Sequence, residues 1–330
     1  MSPRILVTGA AGQIGSELVI ALRKRYGEGN IIATDKAVTR AQVVPGVLEQ
    51  LDVMHLSSVE RALKTHRVDT VYHLAAILSA VGEGNPDLAW DINMGGLKNI
   101  LDASVRQDIR RVFWPSSIGV FGPDAPKVRA PQDSALNPTT MYGVTKVAGE
   151  LLSEYYSLKH GLDVRSVRYP GLISSEAKPG GGTTDYAVEI FYSALQTGRY
   201  TCFLSEDTVL PMMYMSDALR AAMEIMDADS GRVKLHRGYN VAAVSFSAGE
   251  LASEISKHVP GFKVTYSPDA RQAIADSWPK SIDDSAARRD WGWKEEYDMP
   301  SMVADMISRL QRRLFNEAKT FNSTAGFVHR

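Results

Sequence analysis

The sequence has little of several features that mark specialised classes of protein. Cys202 is the only cysteine among 330 residues, so an intramolecular disulfide is impossible and a cysteine-rich metal site is excluded. The 37 Lys and Arg side chains balance the 38 Asp and Glu side chains, which leaves no basic field for nucleic acid or for an anionic membrane. Histidines and acidic residues form no strong cluster with metal-ligand spacing, and we therefore expect no metal ion.

Long apolar runs are also missing from the sequence. No run approaches the ~20 residues that a membrane-spanning helix needs, so we expect no membrane partner. The N-terminal residues lead directly into a strand pattern and lack the apolar segment of a signal peptide. These features predict a cytoplasmic protein, and the matrix of an organelle such as the mitochondrion fits equally if a transit peptide has been removed.

The first half of the chain alternates short apolar runs with helical patterns. Strand patterns fall at residues 4–8, 31–34, 70–73, 111–114 and 163–167, and helical spacing falls at residues 16–26, 86–105 and 142–156. Strands that alternate with helices build a parallel sheet with right-handed crossovers. The pattern therefore predicts an α/β fold with a doubly wound parallel sheet.

After Pro170 the pattern loosens. Helices are predicted at residues 185–196, 216–226, 247–257 and 300–314, with short strands between them and a flexible glycine-rich loop at residues 178–184. We expect residues 1–168 to form the sheet domain and residues 169–330 to form a smaller C-terminal lobe, with some segments returning to the sheet. The tail after Ala318 has few apolar residues and is expected to be loose.

Three glycines join the first strand to the first helix. Gly9, Gly12 and Gly15 allow a tight turn, a close approach of backbone to a pyrophosphate, and close packing of helix on strand. Asp35 follows Gly15 by twenty residues, at the end of the second strand, where a carboxylate accepts hydrogen bonds from ribose hydroxyls and repels a 2′-phosphate. The motif predicts a Rossmann-type site that prefers NAD to NADP, although the neighbouring cation of Lys36 opposes that preference.

A second pattern carries acid–base chemistry. Tyr142 and Lys146 are four residues apart, which places both side chains on one face of a helix. A lysine ammonium beside a phenol lowers the tyrosine pKa from ~10, as proton removal from an alcohol requires. Ser116 and Ser117 end the fifth strand, at the sheet edge where doubly wound folds bind ligands. In isolation, chance explains such a Tyr–Lys pair equally well, and a strand-end serine can bond its own loop.

Taken in order, these motifs resemble the extended short-chain dehydrogenases/reductases, an NAD-dependent epimerase/dehydratase-like family, over about residues 4–315. The resemblance implies that Tyr142 is the base, that Lys146 also holds the nicotinamide ribose, and that Ser117 completes the triad with Ser116 as the backup. It implies that residues 1–168 bind NAD and residues 169–330 bind substrate. The residues expected to contact NAD are Gly9, Gly12, Gln13, Ile14, Gly15, Asp35, Lys36, Asp52, Val53, Leu74, Ala75, Ala76, Asn93, Tyr142, Lys146, Tyr169, Pro170 and Leu172.

The second half departs from the nucleotide-sugar members of that family. Those members carry an aromatic residue and then an asparagine after the arginine that corresponds to Arg168, whereas this chain has Tyr-Pro-Gly at residues 169–171. The runs at residues 168–173, 180–186 and 210–214 resemble members that oxidise L-threonine at C3 to 2-amino-3-ketobutyrate. The substrate contacts implied are Ser79, Ser116, Ser117, Tyr142, Thr184 and Trp278.

Several alternatives stay open from the sequence. Thr184 also suits the N-cap of the helix that follows it, Trp278 also suits a packing role, and Asp52 also suits a surface turn. A nucleotide-sugar epimerase or dehydratase of the same fold is the first rival function. A non-catalytic NAD-binding regulator is the second, although a binder needs no base. The resemblance further implies a homodimer whose interface includes the helix that carries Tyr142.

Asp35→Ala should weaken NAD binding and improve the relative use of NADP, because the substitution removes both a ribose acceptor and a repulsive charge. Steady-state kinetics with each cofactor measure this ratio. An unchanged ratio of the two kcat/KM values would contradict the assignment of Asp35.

Overall fold

A parallel sheet of eight strands forms the centre of the fold. The computed structural model describes residues 2–37, 44, 46–177, 180 and 182–325. With strands numbered along the chain, the sheet contains β1 (Ile5–Thr8), β2 (Ile31–Asp35), β3 (Leu48–Gln50), β4 (Thr70–His73), β5 (Arg111–Phe113), β6 (Ser116–Ser117), β7 (Asp163–Tyr169) and β11 (Gly238–Asn240). Their order is β3-β2-β1-β4-β5-β7-β11, and β6 pairs with β7 beyond the end of β5. Every pairing is parallel, so all carboxyl ends meet at one edge.

Helices cover both faces of this sheet. The described helices are α1 (Gln13–Tyr26), α2 (Leu56–His66), α3 (Ser79–Gly84), α4 (Pro86–Trp90), α5 (Gly96–Arg106), α6 (Met141–His160), α7 (Tyr186–Gln196), α8 (Met215–Asp227), α9 (Ala248–His258), α10 (Arg271–Ser277), α11 (Ser285–Trp291) and α12 (Met299–Ala325). Leu18 and Leu22 of α1 share one core with Ile225 of α8. Leu63 of α2 and Ile100 of α5 share the core on the opposite face. The predicted doubly wound α/β fold is therefore confirmed.

Two small sheets build the second half of the chain. β8 (Gly171–Ile173) pairs in parallel with β10 (Val209–Tyr214), and β10 pairs antiparallel with β12 (Val244–Ser247). β9 (Arg199–Cys202) pairs in parallel with β13 (Lys263–Tyr266). Helices α7, α9 and α12 pack on one another around a core that includes Phe191, Leu251 and Met306. The chain also returns to the large sheet, since α8 packs on α1 and β11 pairs with β7.

The structure contains elements that the sequence did not predict, namely the strands β3, β6 and β11 and the helices α2, α3, α10 and α11, and it also alters two predicted segments. The single helix predicted at residues 86–105 is interrupted by a π-helical turn at Asp91–Gly95, between α4 and α5. The tail after Ala318, which we expected to be loose, continues α12 up to Ala325. A scarcity of apolar side chains argues against burial, but a docked helix extends by its own hydrogen bonds. Residues 326–330, and residues 178, 179 and 181 of the predicted glycine-rich loop, lie outside the described part. The division at residue 168 stays a prediction.

Helix α6 is fixed firmly at its amino end and against the sheet. Thr140 Oγ1 accepts a hydrogen bond from the Gly143 amide at 3.1 Å, and Glu83 Oε1 accepts one from the Met141 amide at 2.6 Å. Gly149 lets the helix approach the indole of Trp114, because an added Cβ would lie 2.4 Å from Trp114 Cη2. These contacts hold the first turns of α6, and with them Tyr142 and Lys146, at the carboxyl edge of the sheet.

A buried carboxyl group joins α1 to the segment after β8. Ser174 Oγ donates to Glu17 Oε1 at 2.5 Å while it accepts from the Glu176 and Ala177 amides at 3.0 and 2.9 Å. Burial raises the pKa of Glu17 from 4.5 to about 6, against the opposing effect of the Ser174 hydrogen bond. The folded protein therefore holds this proton more tightly than the unfolded chain does, and its stability falls as the pH rises from about 4.5 to about 6.

Glu17→Gln should stabilise the protein at pH 8 by up to about 2 kcal/mol and leave it unchanged at pH 4, because the amide keeps an acceptor for Ser174 and cannot ionise. Urea unfolding across this pH range measures the free energy of unfolding. The same substitution at the exposed Glu28 serves as the control. Parallel curves for the variant and the parent would contradict this account of Glu17.

Candidate active site

The glycine turn between β1 and α1 leaves bare backbone at the amino end of a 14-residue helix. Gly9 has a φ of +69°, in the left-handed region, and a Cβ there would lie 2.6 Å from the Ala75 amide nitrogen. A Cβ at Gly15 would lie 2.2 Å from the Gly9 carbonyl oxygen. Gly12 is the N-cap and has no side chain to cap α1. Unblocked amides at the positive end of a helix dipole fit the pyrophosphate of a dinucleotide.

Acidic and basic groups gather where an adenosine would follow that turn. Asp35 accepts hydrogen bonds from the amides of Ala11 at 3.1 Å and Ala37 at 3.0 Å, which places its carboxylate beside the turn. Lys36 Nζ lies 3.0 Å from Asp52 Oδ2, so the cation that opposed the NAD preference is paired with a carboxylate. Val53 is buried and packs against Gly96, and its carbonyl oxygen accepts a hydrogen bond from Asn99 Nδ2 at 3.0 Å.

The segment after β4 passes close to the glycine turn, and hydrogen bonds from Asn93 fix its position. The Asn93 amide accepts from the Ile77 N–H at 2.7 Å, and it donates to the Ile77 carbonyl at 3.1 Å and to Thr145 Oγ1 at 3.2 Å. Asn93 therefore joins this segment to α6. Its side-chain amide is engaged in these hydrogen bonds, and the predicted contact of Asn93 with NAD stays a prediction. His73 is buried, and its Nδ1 lies 2.8 Å from Thr8 Oγ1. Burial, and then the charge of Lys146, lower the pKa of His73 to about 3, so its ring is neutral.

The structure brings Tyr142, Ser117 and Lys146 together. The Ser117 hydroxyl lies close enough to the Tyr142 phenol to lower its pKa, and it also accepts from the Gly119 amide at 3.1 Å, so it serves both the site and its own loop. Lys146 Nζ donates to the Pro115 carbonyl at 2.6 Å and lies 4.5 Å from the centre of a Trp114 ring. The same nitrogen is 5.5 Å from the centre of the Tyr142 ring.

The electrostatics of this cluster differ from the sequence prediction in one respect. Burial raises the pKa of Tyr142, and the Ser117 hydrogen bond is what opposes the rise. The predicted lowering by Lys146 is therefore not found in this arrangement. Burial lowers the pKa of Lys146 itself to about 7, against the opposing charge of Glu150, and its ammonium is bonded to Pro115 rather than to the phenol. A lysine that is only partly protonated near pH 7, and whose ammonium is bonded to a backbone carbonyl, stabilises the Tyr142 phenolate only weakly.

Ser116 points into a second, fully buried network behind the cluster. Its hydroxyl donates to Glu150 Oε1 at 2.6 Å. Arg168 bonds both oxygens of Glu150 at 2.8 Å and also donates to the Gln132 carbonyl at 2.9 Å. The predicted contact of the Ser116 hydroxyl with substrate is therefore not favoured, because that hydroxyl already serves the Glu150–Arg168 ion pair. Sequence reasoning missed this pair, whose members are 18 residues apart.

A cavity of about 160 Å³ opens beside Tyr142. The predicted site residues that line it are Gln13, Ile14, Leu74, Ala76, Ser79, Ser116, Ser117, Tyr142, Lys146, Tyr169, Pro170, Leu172, Thr184 and Trp278. Sequence reasoning missed Leu78, Pro115, Ile118, Gly171, Gly180, Gly182, Thr183 and Asp185. Several of these residues are next to predicted ones in the sequence. Gly171, for example, could have been predicted because it directly follows Tyr169 and Pro170.

Three walls of the cavity bear on the alternatives left open by the sequence. Thr184 does not cap α7 through its hydroxyl, because Asp185 occupies the N-cap and the Thr184 carbonyl accepts from the Ala187 amide. Trp278 lines the cavity and is also largely buried, so it combines both suggested roles. Ser79 begins α3 at the cavity wall.

Other kinds of site were also sought in the described part of the chain. Its residues contain no group of three or more His, Cys, Asp or Glu side chains that could hold a metal ion. None of the helices traced there is both long enough and apolar enough to cross a membrane. Many of the predicted site residues instead line one cavity at the carboxyl edge of the sheet.

Comparison with known proteins supports the same family and cofactor. The model of the NAD dependent epimerase/dehydratase family matches residues 5–242. A curated relative, an uncharacterized epimerase/dehydratase of Staphylococcus haemolyticus, is 48% identical over 95% of this chain and 99% of its own length. The mitochondrial L-threonine 3-dehydrogenase of Sus scrofa is 47% identical over 93% of this chain and 82% of its own.

A solved structure shares the fold throughout. The GalE-like L-threonine dehydrogenase from Cupriavidus necator, in its holo form, superposes with a TM-score of 0.91 at 50% identity, over 93% of this chain and 100% of that one. The family model spans the glycine turn, Asp35, Ser117 and the Tyr142–Lys146 pair. This chain therefore belongs to the NAD dependent epimerase/dehydratase family, as its motifs predict.

Proposed function

We propose that this protein oxidises the C3 hydroxyl of L-threonine to 2-amino-3-ketobutyrate, with NAD as the cofactor. The observation that carries the proposal is the meeting of Tyr142, Ser117 and Lys146 at one end of a small cavity that Thr184 and Trp278 line. Relatives named as L-threonine dehydrogenases, at 47% and 50% identity, support this choice of substrate.

The cofactor is held by backbone more than by side chains. The turn containing Gly9, Gly12 and Gly15 receives the pyrophosphate, and Asp35 accepts the ribose hydroxyls. Lys146 holds the ribose next to the nicotinamide, as the family resemblance implies. When bound, NAD supplies the ring that takes up the hydride from the substrate carbon.

Tyr142 takes the proton of the substrate hydroxyl, and Ser117 holds the oxygen from which the proton leaves. Because burial raises the pKa of Tyr142, the phenol rests in its neutral form and needs help to act as a base. Lys146 gives that help when it is charged and its ammonium turns from the Pro115 carbonyl toward the phenol. With a pKa of about 7 it both takes up and releases protons at physiological pH, which suits a relay to solvent.

The ammonium and carboxylate of threonine need polar partners, because burying either unpaired is costly. The hydroxyls of Ser79 and Thr184 both line the cavity, and neither has a hydrogen-bond partner among the described residues. Trp278 adds an apolar wall for the methyl group of the substrate. A nucleotide sugar would need a longer cleft with a place for its diphosphate, and among the described residues that line this cavity Lys146 is the only Lys or Arg.

The homodimer stays a prediction. Its support in this structure is an apolar stripe along the outer face of α6, formed by Val144, Leu151, Tyr155 and Leu158, each at least 40% exposed. Exposed apolar stripes on a helix are typical of helix–helix interfaces between subunits.

L-Threonine should be oxidised with NAD about 10-fold or more faster than L-serine at low substrate concentration, because one methyl group in an apolar pocket contributes discrimination of this order. UDP-sugars should give no reaction. Absorbance of NADH measures turnover for all three substrates. Epimerisation of a UDP-sugar, without NADH formation from threonine, would overturn the proposal and establish the rival function.

Tyr142→Phe should reduce turnover of threonine by at least ~10²-fold, because the substitution removes the proton acceptor. The affinity for NAD, measured by calorimetry, should stay within about 2-fold, since the cofactor rests mainly on the glycine turn and Asp35. Tyr155→Phe, the same change on the exposed face of α6, is the matched control and should leave both quantities unchanged. Turnover close to that of the parent protein in the Tyr142 variant would place the base elsewhere.

A further inference from the structure

Gly171 lies in the wall of the cavity. It is the first residue of β8 and lines the cavity together with Pro170, Leu172 and Thr184. Its backbone pairs in parallel with Met212 of β10. Its φ is not in the left-handed region, so the backbone conformation at this position does not require glycine.

Space, rather than backbone conformation, requires glycine at this position. A Cβ added to Gly171 would lie 2.7 Å from Thr184 Cγ2, and 2.5 and 2.7 Å from Met212 Sδ and Cε. Side-chain carbons in folded proteins do not approach so closely. The Thr184 methyl group thus occupies the volume that any larger residue at position 171 would fill.

This close approach fixes how Thr184 presents its hydroxyl. The methyl and hydroxyl groups share one Cβ, and β-branched side chains have few allowed rotamers. With the methyl packed over Gly171, the hydroxyl is the part of Thr184 left for the cavity, and it makes no hydrogen bond within the described part of the chain. Met212 is fully buried and lies on the other side of the same contact.

We propose that Gly171 is the specificity-determining residue of this site: its missing side chain seats the Thr184 methyl and so holds the Thr184 hydroxyl against the polar groups of a short hydroxy amino acid. The proposal rests on the function proposed above. A side chain at position 171 displaces Thr184, and the cavity then loses the polar contact that selects a small, charged substrate over larger or uncharged alcohols.

A double-mutant cycle between positions 171 and 184 tests the proposal. Gly171→Ala should raise the KM for L-threonine about 10-fold or more, through overpacking at Thr184, with the affinity for NAD within about 2-fold. Thr184→Ser keeps the hydroxyl and removes the methyl, so the double variant G171A/T184S should return to the KM of T184S alone. Gly231→Ala is the matched control, because a Cβ there meets nothing within 4 Å.

Two outcomes overturn the proposal. One is a KM for G171A equal to that of the parent protein. The other is that Met212→Val, but not Thr184→Ser, restores the KM of G171A. That result would show that the added methyl group acts by displacing Met212 in the core and not by displacing Thr184. If G171A does not fold, Thr184→Val replaces it: loss of the hydroxyl should raise the KM for threonine about 10-fold, and an unchanged KM would be equally decisive. A parent protein that makes no NADH from threonine would instead overturn the proposed function.

Discussion

The buried ion pair between Glu150 and Arg168 is the constraint on which the rest of the site depends. It joins α6 to β7, and it receives the hydroxyl of Ser116, next to Ser117. Glu150 lies one helical turn beyond Lys146, and its charge opposes the loss of the Lys146 ammonium by burial. Removing one partner of such a pair typically costs ~3–5 kcal/mol, because the other charge is left buried and unpaired. The pair therefore couples the stability of the sheet edge to the charge state of the site.

The sequence predicts best the features that depend on local spacing. Five strands of the large sheet (β1, β2, β4, β5 and β7), the glycine turn and the Tyr142–Lys146 pair follow from periodicity and motif order, whereas β3, β6 and β11 were missed. The family and its NAD dependence are confirmed. Electrostatics are predicted poorly, because the pKa of Tyr142 depends on burial that no spacing reveals. For the same reason the sequence assigns the Ser116 hydroxyl to the substrate, when a carboxylate from another element already takes it.

The two halves of the chain contribute different kinds of group to the cavity. The first half supplies bare backbone, a phenol, an amine and a hydroxyl on elements that the large sheet holds rigidly. The second half supplies Gly171, Thr184 and Trp278 from three segments that are separate in sequence. Glu17 and Ser174 join the halves directly. Under the proposed function, both halves of the chain therefore contribute to the cavity, the first supplying the reacting groups and the second supplying residues that shape the space around the substrate.

The π-helical turn at Asp91–Gly95 has a consequence for chain length. It contains Asn93, whose amide bonds Ile77 and Thr145, and it connects α4 to α5. A π-helical turn accommodates one residue more than an α-helical turn. Deleting a single residue here would restore a regular helix and keep α4 and α5 nearly in the same relative orientation, but it would remove the wide turn that places Asn93 beside its partners. The number of residues between α4 and α5 is therefore more constrained than their identity. Insertion or deletion of one residue would separate Asn93 from Ile77 and Thr145, and so α6 from the segment after β4.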